Sequence, residues 1–152
     1  FSLNALTRIV LPQMVERNNG IVINIASLSA SFPTPLLSVY AASKSYVDSF
    51  SQGLAKEYSA KGITVQWISP GHVVSNMSKI KRASFPNVPT PEAFVRSALS
   101  RLGIEGRTCG YWAHDVLNFF SELLPKTILV NLVYGEMKGI KIRALKKKQK
   151  QN

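Results

Sequence analysis

Two short runs of β-branched residues, separated by a helical pattern, constrain the fold of this chain more than any other feature. Residues 21–26 read Ile-Val-Ile-Asn-Ile-Ala, and residues 63–68 read Ile-Thr-Val-Gln-Trp-Ile. The first run shows little alternation of polar and apolar residues, which is typical of a strand buried on both faces of a parallel sheet. Between the runs, apolar residues recur at helical spacing over about 39–61, and Gly62 should end that helix. The pattern therefore predicts a right-handed βαβ unit.

A helix is also expected before this unit. Residues 1–17 carry apolar side chains at helical spacing, so we expect the chain to begin inside a domain. The helix should kink or restart at Pro12, because proline removes a backbone donor. Asn19 and Gly20 are suited to a left-handed cap and should end the helix.

The chain after the second run is expected to be less regular. Residues 78–91 are basic and rich in proline, which predicts a loop. Residues 90–92 (Thr-Pro-Glu) match the cap and first turn of a helix that should end at Gly103. A short strand is expected within residues 107–113, followed by two apolar helices that flank Pro125.

The composition excludes several classes of protein. A chain of 152 residues that is 45% apolar suits one globular domain with a sizeable core. The single Cys109 cannot form a disulfide within the chain, which favours a reducing compartment. We expect no metal site, because Cys109, His72 and His114 are dispersed along the sequence.

Positive charge is concentrated near the end of the chain. The formal net charge is +11, and residues 138–152 contain seven of the 19 basic residues and none of the 8 acidic ones. Such a segment can bind phosphates of nucleic acid or lipid headgroups, or it can remain solvated. A nucleic-acid partner is not expected, because only this segment is strongly basic and no aromatic residue is interleaved with it.

The apolar stretch before the basic segment is not expected to span a membrane. Its best window, residues 116–134, is interrupted by Asn118, Glu122, Pro125, Lys126 and Asn131. Two interpretations stay open. The helices can lie among lipid headgroups or close over a lipophilic pocket, or they can pack on the domain in the ordinary way.

Polar residues follow both predicted strands, at the edge where ligands bind in open α/β sheets. Residues 27–38 leave the first strand, and residues 69–77 leave the second. Tyr40 and Lys44 begin the intervening helix four residues apart, which stacks them on one helical face. Free tyrosine has a pKa of about 10, and a neighbouring ammonium stabilises a phenolate. Tyr40 is therefore a candidate general acid–base.

Each candidate residue also has an ordinary structural interpretation. Tyr40 and Lys44 can be a half-buried aromatic residue beside a solvated charge, since Tyr-x-x-x-Lys also arises by chance. Ser27 could orient a carbonyl oxygen, or it could be a turn or cap residue. Residues 70–71 (Pro-Gly) can simply end the strand, or the glycine can let the backbone approach a flat ligand.

Three motifs together resemble a known family. Residues 24–27 read Asn-Ile-Ala-Ser, residues 40–44 read Tyr-Ala-Ala-Ser-Lys, and residues 70–75 read Pro-Gly-His-Val-Val-Ser. In this order and spacing they resemble the catalytic half of classical short-chain dehydrogenases/reductases. Residues 11–14 (Leu-Pro-Gln-Met) and 107–111 (Arg-Thr-Cys-Gly-Tyr) are similar to the branch that contains 17β-hydroxysteroid dehydrogenases of types 3 and 12, the latter also a very-long-chain 3-oxoacyl-CoA reductase.

The resemblance implies an α/β fold: the C-terminal half of a Rossmann-like doubly wound parallel sheet, with a helical C-terminal extension. Residues 1–113 would be the catalytic half, residues 114–145 the apolar helical extension, and residues 146–152 a basic tail. The family's Gly-rich turn and its residue for the ribose 2′-position are not found in this sequence. We therefore expect the C-terminal half of a longer enzyme, which would bind cofactor poorly by itself.

The resemblance also implies residue roles. Tyr40 would donate the proton to a ketone as NADPH delivers hydride, Lys44 would favour the phenolate and hold the nicotinamide ribose, and Ser27 would hydrogen-bond the substrate oxygen. The residues that would line the nicotinamide are Pro70, Gly71, Val73 and Ser75. Ser75 stands where the family commonly has threonine and keeps the hydroxyl. The family's helix asparagine is not assigned, because Asn4 lies too late in its helix.

Two functions are thus in question. The first is NADP(H)-dependent reduction of a lipophilic ketone, either a 17-ketosteroid or a long-chain 3-oxoacyl-CoA, at the endoplasmic reticulum membrane. Residues 148–152 are similar to a dilysine retrieval signal of that compartment, and a homodimer is left open. The alternative is a catalytically inactive, truncated product that binds a lipid surface or a protein partner through its C-terminal helices and basic tail.

Overall fold

Three parallel strands and the helices around them make up the computed structural model, which describes residues 2–78, 80–104 and 106–149. The strands are β1 (Gly20–Ile25), β2 (Ile63–Ile68) and β3 (Arg107–Thr108). The helices are α1 (Ser2–Glu16), α2 (Ser38–Tyr58), α3 (Pro91–Leu99), α4 (Trp112–Leu123) and α5 (Lys126–Gln149). Single 3₁₀ turns follow β1 and α2, at Leu28–Ala30 and Ser59–Lys61.

The sheet has the order β1-β2-β3, and both pairings are parallel. β1 and β2 pair in register from Gly20 opposite Ile63 to Ile25 opposite Ile68. Because α2 connects these two parallel neighbours, the predicted strand–helix–strand unit is confirmed.

The core lies between the sheet and the first two helices. Leu11 of α1 and Leu54 of α2 are buried against Ile63 and Val65 of β2. Asn24 points to the same side, and its amide donates to Ser51 Oγ at 2.8 Å inside the core. Burial of this apolar set supplies most of the driving force that holds the helices on the sheet.

The prediction that β1 is buried on both faces is wrong. Ile21, Ile23 and Ile25 share one face of β1 and are 50%, 38% and 50% exposed. On the same side of the sheet Gln66 is fully buried, and its amide donates to the Arg101 carbonyl oxygen at 3.0 Å. The segment between α3 and β3 therefore covers β2 and leaves the isoleucine face of β1 open within the described residues.

Left-handed residues follow α1 and the helical run that contains α2. α2 ends at Tyr58 and the 3₁₀ turn Ser59–Lys61 continues it, so the helical run ends at Gly62 as predicted. Gly62 has φ +66°, and a Cβ there would meet the Asn18 carbonyl oxygen at 2.0 Å. The predicted cap of α1 is wrong in position: Asn18 is the left-handed residue, with φ +49°, and Gly20 already belongs to β1. A Cβ on Gly20 would meet Met14 Sδ at 2.6 Å, so close packing is what requires this glycine. Helix α1 also continues through Pro12 without a restart.

The part of the chain between β2 and α4 is only partly as expected, because α3 ends at Leu99 and not at the predicted Gly103. The described residues of the predicted loop, 78 and 80–90, contain no helix, and Thr90 caps α3 by accepting the Ala93 N–H at 3.2 Å. The strand expected within residues 107–113 is shorter than predicted, because β3 contains only Arg107 and Thr108 and α4 starts at Trp112.

Helices α4 and α5 flank Pro125, as the sequence predicts. Residues 146–149 belong to α5, whereas residues 150–152 of the basic tail, like Phe1, lie outside the described residues. Across the described ranges, no helix combines the length and the apolar character that crossing a bilayer requires.

Leu54→Ala should lower the free energy of unfolding by about 2–5 kcal/mol, because it leaves a cavity in the core cluster. Leu54 is 6% exposed and contacts both α1 and the sheet. Leu99→Ala is the matched control, since Leu99 is 55% exposed and its truncation should change stability by less than about 0.5 kcal/mol. Urea denaturation of the three proteins measures both values, and equal losses in the two variants would contradict this assignment of the core.

Candidate active site

Ser27 leaves β1 at the carboxyl edge of the sheet. The residues before and after Ser27 continue the parallel hydrogen bonding beyond the strands. Ala26 N–H donates to the Ile68 carbonyl oxygen at 2.8 Å, and Leu28 N–H donates to the Pro70 carbonyl oxygen at 3.0 Å. Ser27 is 8% exposed, and its Oγ accepts the Ser29 N–H at 3.2 Å as the cap of a 3₁₀ turn. The capping alternative is therefore real, but an accepting hydroxyl keeps its own proton to donate.

Lys44 reaches the end of β1 from α2. Its Nζ donates to the Ile25 carbonyl oxygen at 2.9 Å, two residues before Ser27. Tyr40 stands one turn earlier on the helix, with its ring centroid 5.8 Å from Lys44 Nζ, and is 37% exposed. Ser51 and Leu54 lie further along this sheet-facing side of α2 and bury the helix against the strands. The structure thus brings Lys44 to the sheet edge beside Ser27, with Tyr40 next to it.

The segment that contains Pro70, Gly71, Val73 and Ser75 follows β2 without regular secondary structure. Besides the Leu28–Pro70 bond, Val74 N–H donates to the Pro89 carbonyl oxygen at 3.2 Å. Ser78 Oγ donates to the Val73 carbonyl oxygen at 2.7 Å, and Ser75 Oγ accepts the Ser78 N–H at 3.0 Å. The turn hydrogen bonds hold Ser75 and Val73 in a fixed backbone path beside the sheet edge.

His114 also contacts this segment, and the sequence reasoning missed it. It lies in the first turns of α4 and is 1% exposed. Its Nδ1 accepts the Gly71 N–H at 3.3 Å, and its Nε2 lies 3.0 Å from the Asn87 carbonyl oxygen. The only signal in the sequence is a histidine in a helical pattern rich in apolar residues, which does not reveal partners 43 and 27 residues away.

Burial lowers the pKa of His114 from its ordinary value of 6.5. Hydrogen bonds to the backbones of Asn87 and His72 and the charge of the Asp115 carboxylate oppose this effect in part, while the charge of the His72 side chain adds to it. A neutral imidazole also fits both contacts, because Nδ1 can accept only when it carries no proton and Nε2–H can then donate to Asn87.

Cys109 is not placed for chemistry. It is buried beside Asp115, and burial, together with that carboxylate, raises the pKa of its thiol to about 12. Asp115 serves the backbone instead, by accepting the Cys109 N–H at 2.9 Å and pairing with Arg101. In the described ranges no three His, Cys, Asp or Glu side chains are grouped so that they could hold a metal ion.

A hollow of about 480 Å³ lies on the other side of α2. It is lined by residues 30–35 and by Ser38, Ala41, Ala42 and Ser45. These helix positions face away from Tyr40 and Lys44, because residues at i+3, i+4 and i+7 share one helical face. The hollow is therefore separate from the sheet edge where the candidate residues lie.

The sequence matches one family model and several curated proteins. The family described as short chain dehydrogenase matches residues 1–84. The very-long-chain 3-oxoacyl-CoA reductase of Anas platyrhynchos is 44% identical over 96% of this chain and 46% of its own length. That of Homo sapiens is 40% identical over 95% of this chain and 46% of its own length. The chain spans about half the length of the curated relatives it matches.

Solved structures show the same fold. A short-chain dehydrogenase from Sphingobium yanoikuyae in complex with NADPH is 31% identical, with a TM-score of 0.61 over 70% of this chain and 43% of that one. A 7β-hydroxysteroid dehydrogenase gives a TM-score of 0.76 over 86% of this chain and 54% of that one. At 17% identity, the second likeness shows the fold alone, which is part of a Rossmann-like α/β sheet.

The buried imidazole predicts a pH dependence of stability. The pKa of His114 is lower in the folded chain, so the unfolded chain binds more protons as the pH falls below about 6.5. The contribution of His114 to the free energy of unfolding should be complete above pH 6.5 and decline below it. Denaturation between pH 7.5 and 5 should therefore give a steeper decline for the wild type than for His114→Asn.

His72→Asn is the matched control, because His72 is the chain's other histidine and is exposed. It should follow the wild-type decline. If wild type and His114→Asn declined in parallel, His114 would not be the buried group that titrates.

Proposed function

Since this chain belongs to the short-chain dehydrogenase family, we propose that it supplies the catalytic half of a longer NADP(H)-dependent reductase, which converts the ketone of a lipophilic substrate to an alcohol. One observation carries the proposal. The Lys44 ammonium binds the last carbonyl of β1, with Tyr40 one turn away and Ser27 two residues beyond that carbonyl. A phenol, an ammonium and a hydroxyl near one sheet edge are suited to proton transfer to a carbonyl oxygen.

The substrate we favour is a very-long-chain 3-oxoacyl-CoA. Relatives that carry this name are 40–44% identical over about 95% of the chain. A 17-ketosteroid is the second candidate, supported only by the resemblance of the sequence motifs. The two substrates share the ketone and differ in shape, so the same proton donor would serve either.

The residues present fit the ribose of a nicotinamide cofactor. A lysine ammonium has three N–H donors, of which one goes to the Ile25 carbonyl oxygen. Two remain for ribose hydroxyls, and Pro70, Gly71, Val73 and Ser75 would line the nicotinamide from the adjacent segment. When bound, the cofactor supplies the hydride.

The proton would come from this chain. The Tyr40 hydroxyl makes no hydrogen bond within residues 2–78, 80–104 and 106–149, and would donate its proton to the carbonyl oxygen as the alcohol forms. The Lys44 ammonium would stabilise the phenolate left behind. Ser27 would donate its own hydroxyl proton to the same oxygen, while the Ser29 N–H fixes the position of its Oγ.

The open face of β1 supports the idea of a longer enzyme. Three isoleucines that stay 38–50% exposed on a parallel strand would be covered by further α/β layers. Those layers would also hold the adenosine end of the cofactor, since the family's Gly-rich turn is not found in this sequence.

We place the enzyme at the endoplasmic reticulum membrane. Helix α4 has exposed apolar side chains, among them Val116, Phe119 and Phe120, and is followed in the chain by the basic helix α5. Apolar and basic surface in combination favours the headgroup region of a bilayer. The same surface favours the second candidate function, a catalytically inactive product that binds lipid or a protein partner.

Tyr40→Phe in the full-length reductase should lower kcat for NADPH-dependent reduction of a 3-oxoacyl-CoA by about 10²–10⁴-fold, because it removes the proton donor. The fold should remain intact, since Tyr40 is partly exposed and outside the core cluster. Loss of NADPH absorbance measures the rate, and circular dichroism checks the fold.

Tyr46→Phe is the matched control on the same helix. Its hydroxyl contacts Asn4 of α1 rather than the sheet edge, so the variant should keep wild-type kcat. Full turnover by Tyr40→Phe would refute the proposed reaction. A wild-type reductase that bound no NADPH would favour the inactive product instead.

Lys44→Met should weaken NADPH binding as well as catalysis, because the variant loses both the ribose donors and the charge next to the phenol. Lys44→Arg keeps the charge but cannot easily match the compact ammonium at the Ile25 carbonyl. We expect at least a tenfold rise in the Kd of NADPH for the methionine variant and a smaller rise for arginine, measured by cofactor fluorescence. An unchanged Kd in both would contradict the role of Lys44 as a ribose ligand.

A further inference from the structure

His114 contacts two segments that lie far from it in the sequence. Its Nδ1 accepts the Gly71 N–H at 3.3 Å, and its Nε2 lies 3.0 Å from the carbonyl oxygen of Asn87. Gly71 belongs to the segment proposed to line the nicotinamide, and Asn87 belongs to the loop before α3. A single buried side chain of α4 therefore contacts both the segment after β2 and this loop.

The contact with Gly71 is close as well as polar. A Cβ on Gly71 would lie 2.9 Å from His114 Cδ2 and 3.1 Å from Nε2, so only a glycine lets the backbone rest on the imidazole at this distance. Tyr111 and Phe94 pack around the ring, with centroids 5.4 and 6.1 Å away. The ring is thus held in one orientation by aromatic packing and by hydrogen bonds at both nitrogens.

We propose that His114 is a positioning residue for the reductase reaction: it fixes the backbone at Gly71 against the nicotinamide through Nδ1, and the loop at Asn87 through Nε2. The inference rests on the proposed function, and it adds a residue outside the Ser27, Tyr40 and Lys44 set. His114 itself touches neither substrate nor cofactor in this role.

The loop at Asn87 is tied to the same segment by a second contact. Val74 N–H donates to the Pro89 carbonyl oxygen at 3.2 Å, and the loop is closed on itself by bonds between Ser84 and Val88 at 2.7 and 2.9 Å. Two links therefore connect the loop to the segment after β2. His114 supplies the link on the Gly71 side, and the Val74–Pro89 bond supplies the other.

The chemistry of the contact requires a neutral ring. An imidazolium carries protons on both nitrogens and has no acceptor for the Gly71 N–H. Burial acts in the required direction, since it disfavours the charged form. The charged and titratable groups near the ring are Asp115, which pairs with Arg101, His72 in the segment itself, and Tyr111, whose ring packs against the imidazole.

The two hydrogen bonds can be separated by substitution in the full-length reductase. In His114→Asn an amide oxygen can take the place of Nδ1 and accept from Gly71, whereas the contact to Asn87 is lost. In His114→Gln the longer amide can donate to Asn87, whereas the acceptor for Gly71 is lost. Phe94→Leu is the packing control, because it loosens the aromatic surroundings of the ring and removes no hydrogen bond.

Steady-state kinetics and thermal unfolding should distinguish the three variants. We expect KM for NADPH to rise about tenfold in His114→Gln, the size of effect that one lost hydrogen bond gives, and to stay within about twofold of wild type in His114→Asn. Phe94→Leu should lower Tm without raising KM for NADPH. Equal rises in KM for NADPH in His114→Gln and His114→Asn would overturn the proposal. So would a Phe94→Leu variant in which KM for NADPH rises while Tm falls.

A double-mutant cycle gives a second test that does not need His114→Gln to fold well. Gly71→Ala should raise KM for NADPH, because the added Cβ collides with the ring. In the Gly71→Ala/His114→Asn pair the smaller side chain relieves the collision, so the two effects should not add. Additive effects would overturn the proposal. These outcomes are separate from failure of the proposed function, in which Tyr40→Phe would keep full turnover.

Discussion

The parallel pairing of β1 with β2, continued by backbone hydrogen bonds beyond the last strand residues, is the constraint on which the candidate site depends. The bonds from Ala26 to Ile68 and from Leu28 to Pro70 hold the exits of the two strands side by side. Lys44 then binds the carbonyl of Ile25, which connects the crossover helix to the same edge. Without this pairing, the residues proposed to transfer the proton and to line the nicotinamide would lie on unconnected loops.

Polar contacts outside the core cluster hold the C-terminal part of the chain to this frame. Arg107 of β3 donates to Ser31 Oγ at 2.6 Å and pairs with Asp48 of α2 at 3.3 Å. Asp48 in turn accepts the Trp67 indole N–H at 3.0 Å. Charged groups that are half removed from water need such partners, so these bonds fix the orientation of the elements more than they add stability. His114 likewise connects α4 to the segment after β2, through its bond with Gly71.

Much of the fold could be predicted from the sequence, because local residue patterns determine where most helices and strands form. The β-branched runs and the helical spacing between them predict the βαβ unit, and Thr90 and Gly62 mark real caps. The burial of β1 was predicted wrongly, since the run of residues does not reveal what covers each face. The left-handed residue before β1 was misplaced because neighbouring asparagines compete for the same conformation.

The candidate site could be predicted only in part. Motif spacing led to Ser27, Tyr40 and Lys44, and their roles stay predictions. The bond from Lys44 to Ile25 joins residues 19 apart, and that from Gly71 to His114 joins residues 43 apart. Such contacts depend on how helices pack on the sheet, which periodicity in a single sequence does not determine.

A crystal structure of the full-length reductase with NADPH and an unreactive ketone analogue tests the central claim most directly. The account predicts that Tyr40 Oη and Ser27 Oγ both lie within about 2.6–3.2 Å of the carbonyl oxygen, with Lys44 Nζ on the ribose. A carbonyl oxygen that neither hydroxyl can reach, or a ribose bound away from Lys44, would contradict it.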